Sequence, residues 1–398
     1  MKEKDPGTYS QTLERVFYSN QSNPISVYSQ SRTLKTSITQ LEKFAQCPFS
    51  HYARYNLRLK ERREFKIRPP DIGNLYHEVF QMAVGDLIEK QTVKTMETYL
   101  SEALLSPQYR VFRKKHANQY LVKKTTAVAK KVMENLLAYY AGSEFKPRFV
   151  EMPFEEKGSF KPVVVTLGEN RRILIEGKID RIDLYEGSGG NSYCNIVDYK
   201  SGTKGLSLGR VVKGVEFQLA VYLLASLINA EAIAGGELLP SGVFYYPLKE
   251  AFEDMGAKTP QEMAEVDANR FKMEGLVLDD REILTKMDRS FDEQKTSRFI
   301  PVTLKKDNIP TKRSNVLSKE GFERLLQITT SNIRKTGESI LEGDHRVAPL
   351  DNGTVKACKY CAYQSVCKFD SRFRDNDYRS EEFQSNDAVL KDLRGDKQ

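Results

Sequence analysis

Two apolar runs joined by a turn-rich segment stand near the middle of the chain. Residues 173–185, ILIEGKIDRIDLY, are rich in Ile and Leu; a Gly/Ser/Asn segment fills 186–192; a second run, 193–200, restarts at Ile196-Val197 and ends at Ser201-Gly202. Apolar runs of this length bounded by turn residues predict a β-hairpin. In the first run the apolar phase goes 173, 175, 179 and restarts at 182 and 184, which predicts a bend or bulge near Asp180-Arg181. Flanking periodicity predicts a helix starting at Ser37, with a hydroxyl cap and Glu42 in reach, that closes at Cys47-Pro48. A helix over 71–84 follows Pro69-Pro70, and 101–140 reads as helical and basic. Strands are expected at 149–154, 162–167 and 241–248, and helices at 215–229 and 317–341. This order implies an α/β fold with a mixed central sheet. Residues 1–35 read as a polar arm, 36–370 as the folded domain, and 371–398 as a charged, disordered tail.

Composition narrows the class. The 398 residues are 39% hydrophobic and 29% charged, as in soluble globular proteins, with a net charge of +8 and pI near 9.0 that favours a polyanionic partner. No stretch approaches the roughly 20 apolar residues a membrane span needs. The N-terminus, MKEKDPGTYS, has no apolar signal region, so a cytoplasmic location is expected.

The hairpin also carries the candidate chemistry. Side chains alternate along a strand, so Asp198 and Lys200 share a face with Tyr199 opposite, and Asp180 could meet Asp198 across the pair. Two carboxylates beside a lysine suit a hard divalent cation, Mg²⁺ or Mn²⁺, acting on a phosphodiester. Asp-x-Lys alone is more often a solvated strand face. His77, on the 71–84 helix, is either a satisfied core residue or a metal ligand. Gln218 and Tyr222, four apart, share one helix face.

Cys358, Cys361 and Cys367 form a C-x₂-C-x₅-C group that suggests metal ligation in an intracellular protein. A fourth ligand could be Cys47, Cys194 or a histidine. Cys194, inside the second hairpin strand, reads as core filler, whereas Cys47 in a helix-ending Cys-Pro is well placed. The three-plus-one spacing leans to an iron–sulfur cubane and leaves zinc open.

Six segments together carry a resemblance: SITQLEKFAQCPFSHYARYNLRLKER at 37–62, GNLYHEVF at 73–80, EGKIDRID at 176–183, VDYKSG at 197–202, QLAVY at 218–222 and CKYCAYQSVC at 358–367. In this order they resemble the RecB-type branch of the PD-(D/E)xK nucleases, especially its AddB-type nuclease domains. The resemblance implies a restriction-endonuclease-like core with helical insertions and a Mg²⁺- or Mn²⁺-dependent DNA exonuclease of break repair and recombination. It implies Asp180, Asp198 and His77 as metal ligands, Lys200 as the catalytic lysine, and Gln218 and Tyr222 as its supports. Glu151 lies where the family often places an upstream acid. Cys47, Cys358, Cys361 and Cys367 match the family's [4Fe–4S] staple, which joins the N- and C-terminal segments. DNA and an AddA-type helicase–nuclease protein are the implied partners. The alternative is a catalytically silent DNA-binding or assembly module of the same fold. Only about 35 residues precede the first matching segment and no Gly-x-x-x-x-Gly-Lys-Ser/Thr loop occurs, so an excised domain or a free-standing relative is expected.

Overall fold

The hairpin expected from the apolar runs forms, and the sheet grows outward from its first strand. The computed structural model describes residues 5, 7, 32–62, 64–114, 116–168, 170–187, 189–202, 205–248, 270–372 and 376–395; the expected N-terminal arm lies almost wholly outside them. In chain order the main elements are β1 (Thr33–Ser37), α1 (Ile38–Gln46), α2 (Pro69–Lys90), α3 (His116–Gly142), β2 (Lys146–Phe154), β3 (Val163–Thr166), β4 (Arg172–Glu186) and β5 (Ser192–Lys200). They continue with α4 (Gln218–Ile228), β6 (Leu238–Pro247), β7 (Glu274–Leu278), β8 (Val316–Leu317), α5 (Lys319–Leu341) and α6 (Asn386–Arg394).

The sheet runs β1-β4-β5-β6-β7-β8, with β2 and β3 also on β4, and it mixes parallel and antiparallel pairs as expected. The two halves of β4 take different neighbours. Residues 172–176 pair with β1 and β3, and 177–186 with β2 and β5. Gly177 marks the changeover, because a Cβ there would meet the Phe154 ring at 2.6 Å.

The bulge expected near Asp180-Arg181 is not in the hairpin. The β4–β5 register is unbroken from Arg181↔Val197 to Glu186↔Ser192; the irregularity lies in β2, between Pro147 and Phe149. The apolar phase breaks for another reason: both faces of β4 are covered, and Ile179 through Asp183 are all buried. Arg181, fully buried, pairs with Asp183 (Nε to Oδ1, 3.0 Å), donates to Tyr199 Oη at 2.6 Å, and lies within 6 Å of the Tyr140, Tyr199 and Tyr246 rings. Tyr140, from α3, also donates to Asp183 at 2.9 Å. An internal ion pair therefore looks like a broken apolar pattern.

Two expected helices change shape. The 101–140 stretch is interrupted by Ser106-Pro107, where proline removes a backbone donor, so Met96–Leu104, a turn at Pro107–Tyr109 and Arg110–Lys114 precede α3. The 371–398 tail, expected to be disordered, contains α6. Ser385 caps it, Val389, Leu390 and Leu393 bury one face, and Arg324 and Arg394 donate to the Leu393 and Val316 carbonyls. Three apolar residues on one helical face suffice when α5 and β8 wait to receive them. Among the described residues no helix is long and apolar enough to cross a membrane.

Candidate active site

Alternation along β4 and β5 decides which side chains meet. Asp180 and Ile182 face one way with Asp198 and Lys200; Arg181 and Asp183 face the other way with Tyr199. Backbone pairing of the hairpin stops at Arg181↔Val197. One step on, the Tyr199 N–H is taken by the Asp180 side chain (Oδ2, 3.0 Å) in place of a strand carbonyl. The strands part at Asp180, and the opening is the site.

Three elements close on it. Helix α2 starts at Pro69, with Asp71 accepting from the Arg68 N–H at 2.8 Å, and brings His77 Nδ1 to 3.2 Å from Asp180 Oδ2 and 3.6 Å from Glu151 Oε1. Strand β2 delivers Glu151 with φ of 50°, a left-handed conformation rare for a non-glycine residue, at the register position facing Asp180. Ligand atoms of His77, Glu151 and Asp180 all lie within 4.8 Å of one another. Lys178 also pairs with Glu151. A cleft of about 930 Å³ opens over them, bounded in part by Ser37, Gln81 and Tyr222.

Helix α4 supplies the third side. Gln218 Nε2 donates to Asp198 Oδ1 at 2.6 Å and to Tyr222 Oη at 3.0 Å, while its Oε1 accepts from Lys200 Nζ at 2.6 Å. Lys200 Nζ is 2.7 Å from Asp198 Oδ2 and lies over the Tyr245 ring at 5.1 Å. Asp198 is thus tied to Lys200 and Gln218, one step back from the His77–Glu151–Asp180 trio. Its Oδ2 is buried and, apart from that ion pair, accepts no hydrogen bond among the described residues.

The electrostatics are those of an acid cluster short of positive charge. Burial first, then the Asp198 charge, pushes the Asp180 carboxyl up; burial also raises Asp198 against the pull of Lys200. Burial would lower His77, but hydrogen bonding to Glu151 and the charges of Asp180 and Asp198 raise it. Glu151 ends below the usual range, since His77 and Lys178 outweigh its burial. Crowded carboxylate oxygens and a ring nitrogen fit a hard divalent cation, which would relieve the repulsion among the buried acids.

Comparison with known proteins identifies the family. The family model described as the PD-(D/E)XK nuclease superfamily matches residues 35–368. The chain belongs to the PD-(D/E)XK nuclease superfamily. As a PD-(D/E)XK chain it is similar to proteins named as the B subunits of ATP-dependent helicase/deoxyribonucleases. That of Alkaliphilus metalliredigens (strain QYMF) is 34% identical over 375 residues, covering 92% of this chain and 32% of the relative. The Clostridium acetobutylicum protein is 32% identical over 397 residues (95% and 33%), and that of Clostridioides difficile (strain 630) 29% over 411 (98% and 35%). The chain spans about a third of the length of these relatives.

The cysteines of this PD-(D/E)XK chain sit at the far end of α1. Cys47 is extended before Pro48 and buried, while Cys358, Cys361 and Cys367 are half-buried in turns and the short helix Gln364–Cys367. Burial pushes the Cys358 thiol up to about 11, and the nearby sulfurs of Cys47, Cys361 and Cys367 add to it. Ser50 Oγ lies 3.6 Å from Cys361 Sγ. Four thiols in mutual electrostatic reach fit a thiolate-held metal or cluster. Cys194 is fully buried in β5, away from them. The two chain segments that carry the four thiols are joined by other contacts: Phe49 N–H donates to Arg346 O, Leu350 N–H to Gln46 O, and Arg379 to the Ala45 and Gln46 carbonyls.

The structure brings His77, Asp180, Asp198, Lys200, Gln218 and Tyr222 together. It adds Glu151 as a full member and two residues that sequence reasoning missed, Lys178 and Glu42. Lys178 is in plain view two residues before Asp180, with the same alternation phase. Glu42, whose Oε1 accepts the Phe217 N–H at 2.8 Å just before Gln218, leaves no sequence signal of that contact.

Proposed function

We propose that this chain is a Mg²⁺- or Mn²⁺-dependent deoxyribonuclease acting as an exonuclease. The observation that carries the reading is the His77–Glu151–Asp180 trio set beside a lysine that Gln218 and Asp198 hold in place. A divalent cation held by Glu151, Asp180 and His77, with Asp198 behind them, would polarise the scissile phosphate and lower the pKa of a bound water. The residues do the rest. Lys200 orients the attacking water and offsets the charge that develops on the phosphate oxygens. Gln218 holds both the Lys200 ammonium and the Asp198 carboxylate through its one amide, so neither must reorganise as charge builds. Tyr222 holds the Gln218 amide by accepting its second N–H.

The likeness to proteins named as B subunits of helicase/deoxyribonucleases supports DNA as substrate and work alongside a helicase; the six segments that resemble AddB-type domains support break repair and an AddA-type protein as partner. The exonuclease form rests on the resemblance of those segments alone. For the cysteines, a [4Fe–4S] cluster is the favoured occupant. The three-plus-one spacing, with Cys47 far in sequence from Cys358, Cys361 and Cys367, supports it over zinc. The deciding assay follows end-labelled single- and double-stranded DNA and a closed circle, with Mg²⁺, using wild type and Asp198→Ala. Linear substrates should be degraded by wild type alone and the circle spared. Wild-type DNA binding without any cleavage would instead leave a silent binding module.

A further inference from the structure

One carboxyl stands behind the catalytic groups with no part in the reaction so far. Glu42, half-buried on α1, points at the start of α4, where its Oε1 accepts the Phe217 N–H at 2.8 Å. The Gln218 N–H also favours its charge, as does Lys200 from β5, while Glu216 just ahead of α4 opposes it.

Helix α4 needs such an acceptor. The first N–H groups of a helix have no partner inside it, and a Ser, Thr, Asp or Asn just before the first turn usually serves them. Phe217 fills that position here, and its side chain makes no capping bond. An oxygen from α1, 175 residues away in sequence, takes its place.

Gln218 comes next in the chain. Its amide meets Lys200 Nζ and Asp198 Oδ1 at 2.6 Å each and Tyr222 Oη at 3.0 Å. Contacts this short tolerate little movement, and a shift of about 1 Å takes the first two out of hydrogen-bond range. Lys200 would then keep Asp198 and the Tyr245 ring, which the Tyr245 Oη bond to Glu216 at 2.8 Å holds, but lose the acceptor that aims its ammonium. Resting on the nuclease reading, we propose that Glu42 is a positioning residue of the reaction: its oxygen fixes the Phe217 backbone and, through it, the Gln218 amide that aims Lys200.

The test uses the full chain with Glu42→Leu, which has no acceptor, and Glu42→Gln, which keeps one. Glu42→Leu should lower kcat of Mg²⁺-dependent DNA cleavage about 10–100-fold with KM near wild type, and Glu42→Gln should stay within about threefold. In a Gln218→Ala background Glu42→Leu should cost less than about twofold more, because the amide it positions is gone. Acetylation of Lys200 by dilute acetic anhydride, read by mass spectrometry against the other lysines, reports the same contact without turnover. Lys200 labelling should rise several-fold in Glu42→Leu and stay at the wild-type level in Glu42→Gln. Glu42→Asp, which withdraws the oxygen by one methylene, should fall between them and carries the comparison if Glu42→Leu does not fold. Equal losses in the wild-type and Gln218→Ala backgrounds, or Glu42→Gln as impaired as Glu42→Leu, would make Glu42 a structural cap only and overturn the proposal. A wild-type chain that cleaves nothing counts against the nuclease reading alone, because Lys200 labelling still decides whether Glu42 sets the amide.

Discussion

At the carboxylate site every charged group stands on a strand or a long helix, and its partners are other parts of the fold. Asp198 is 1% exposed and Asp180 7%; pairing of β4 with β2 and of β5 with β6 fixes where they point. At the cysteine end, three of the four thiols stand on turns and a one-turn helix, half in water. The first region has its geometry set before any ligand arrives; the second has contacts to neighbouring segments but little regular structure of its own. Helix α1 spans the difference, with Ser37 at the cleft, Glu42 against the start of α4, and Cys47 among the thiols. Removing a group from the first region should therefore change chemistry with the fold intact, and removing one from the second should change the fold's cohesion.

The largest effect tests the first half of that contrast. Lys200→Ala or Asp198→Ala should lower Mg²⁺-dependent cleavage by about 10³-fold or more, while DNA affinity and melting temperature stay near wild type, because phosphate contacts elsewhere carry binding. A variant that cleaves within tenfold of wild type would remove its residue from the machinery. Next comes the ion pair beneath the site. Arg181→Met leaves Asp183 buried and unpaired, so urea unfolding should show a loss of about 3–5 kcal/mol. Replacing both (Arg181→Met, Asp183→Leu) should recover most of it. If the double variant is no better than the single, the cost lies in packing against Tyr140 and Tyr199 and not in the orphaned charge.

Those residues also show what could and could not be read beforehand. Ser37 as a helix cap, Asp198 and Lys200 on one face, and Gln218 with Tyr222 on another follow from local periodicity, which a short window contains. Glu151 joins the trio through β2–β4 pairing across roughly 30 residues and a left-handed φ, and neither has a local signature. Arg181 and Asp183 mimic polar surface positions because a window cannot see that Tyr140, some 40 residues upstream, seals them in. The tail's three apolar residues looked too few for order; their value depends on α5 and β8, which only the folded chain brings to them.

The cysteine end should respond differently and more weakly. Cys358→Ser should remove any visible absorbance of a bound cluster and expose the C-terminal segment to protease, whereas Cys194→Ser should leave the colour alone. Cross-linking so long a loop has an entropic ceiling of about 5 kcal/mol. Backbone hydrogen bonds at Phe49 and Leu350 and the Arg379 guanidinium join the same segments in the fold, so the segments should stay docked and the loss should stay below that ceiling. Colourless wild-type protein with one equivalent of zinc would replace the cluster by zinc, and colour surviving in Cys47→Ser would remove Cys47 from the ligand set.

The smallest effect belongs to the residue that links the two regions. Burial pushes the Glu42 carboxyl up to about 7, with the charge of Glu216 adding to it and the Phe217 N–H opposing. A carboxyl that binds its proton more tightly in the fold than in the unfolded chain contributes stability below its ordinary value; that contribution is lost as pH rises through the folded value, about 7. Glu42→Gln keeps an oxygen to accept the Phe217 N–H and removes the ionisation. The variant should match wild type near pH 4.5 and exceed it by about 1 kcal/mol at pH 8, the full linkage value being reduced by the side chain's partial contact with water. Urea unfolding at the two pH values reads this directly. A difference of the same size at both would mean that the substitution alters packing at the start of α4, and that the Glu42 charge has no part in holding Gln218.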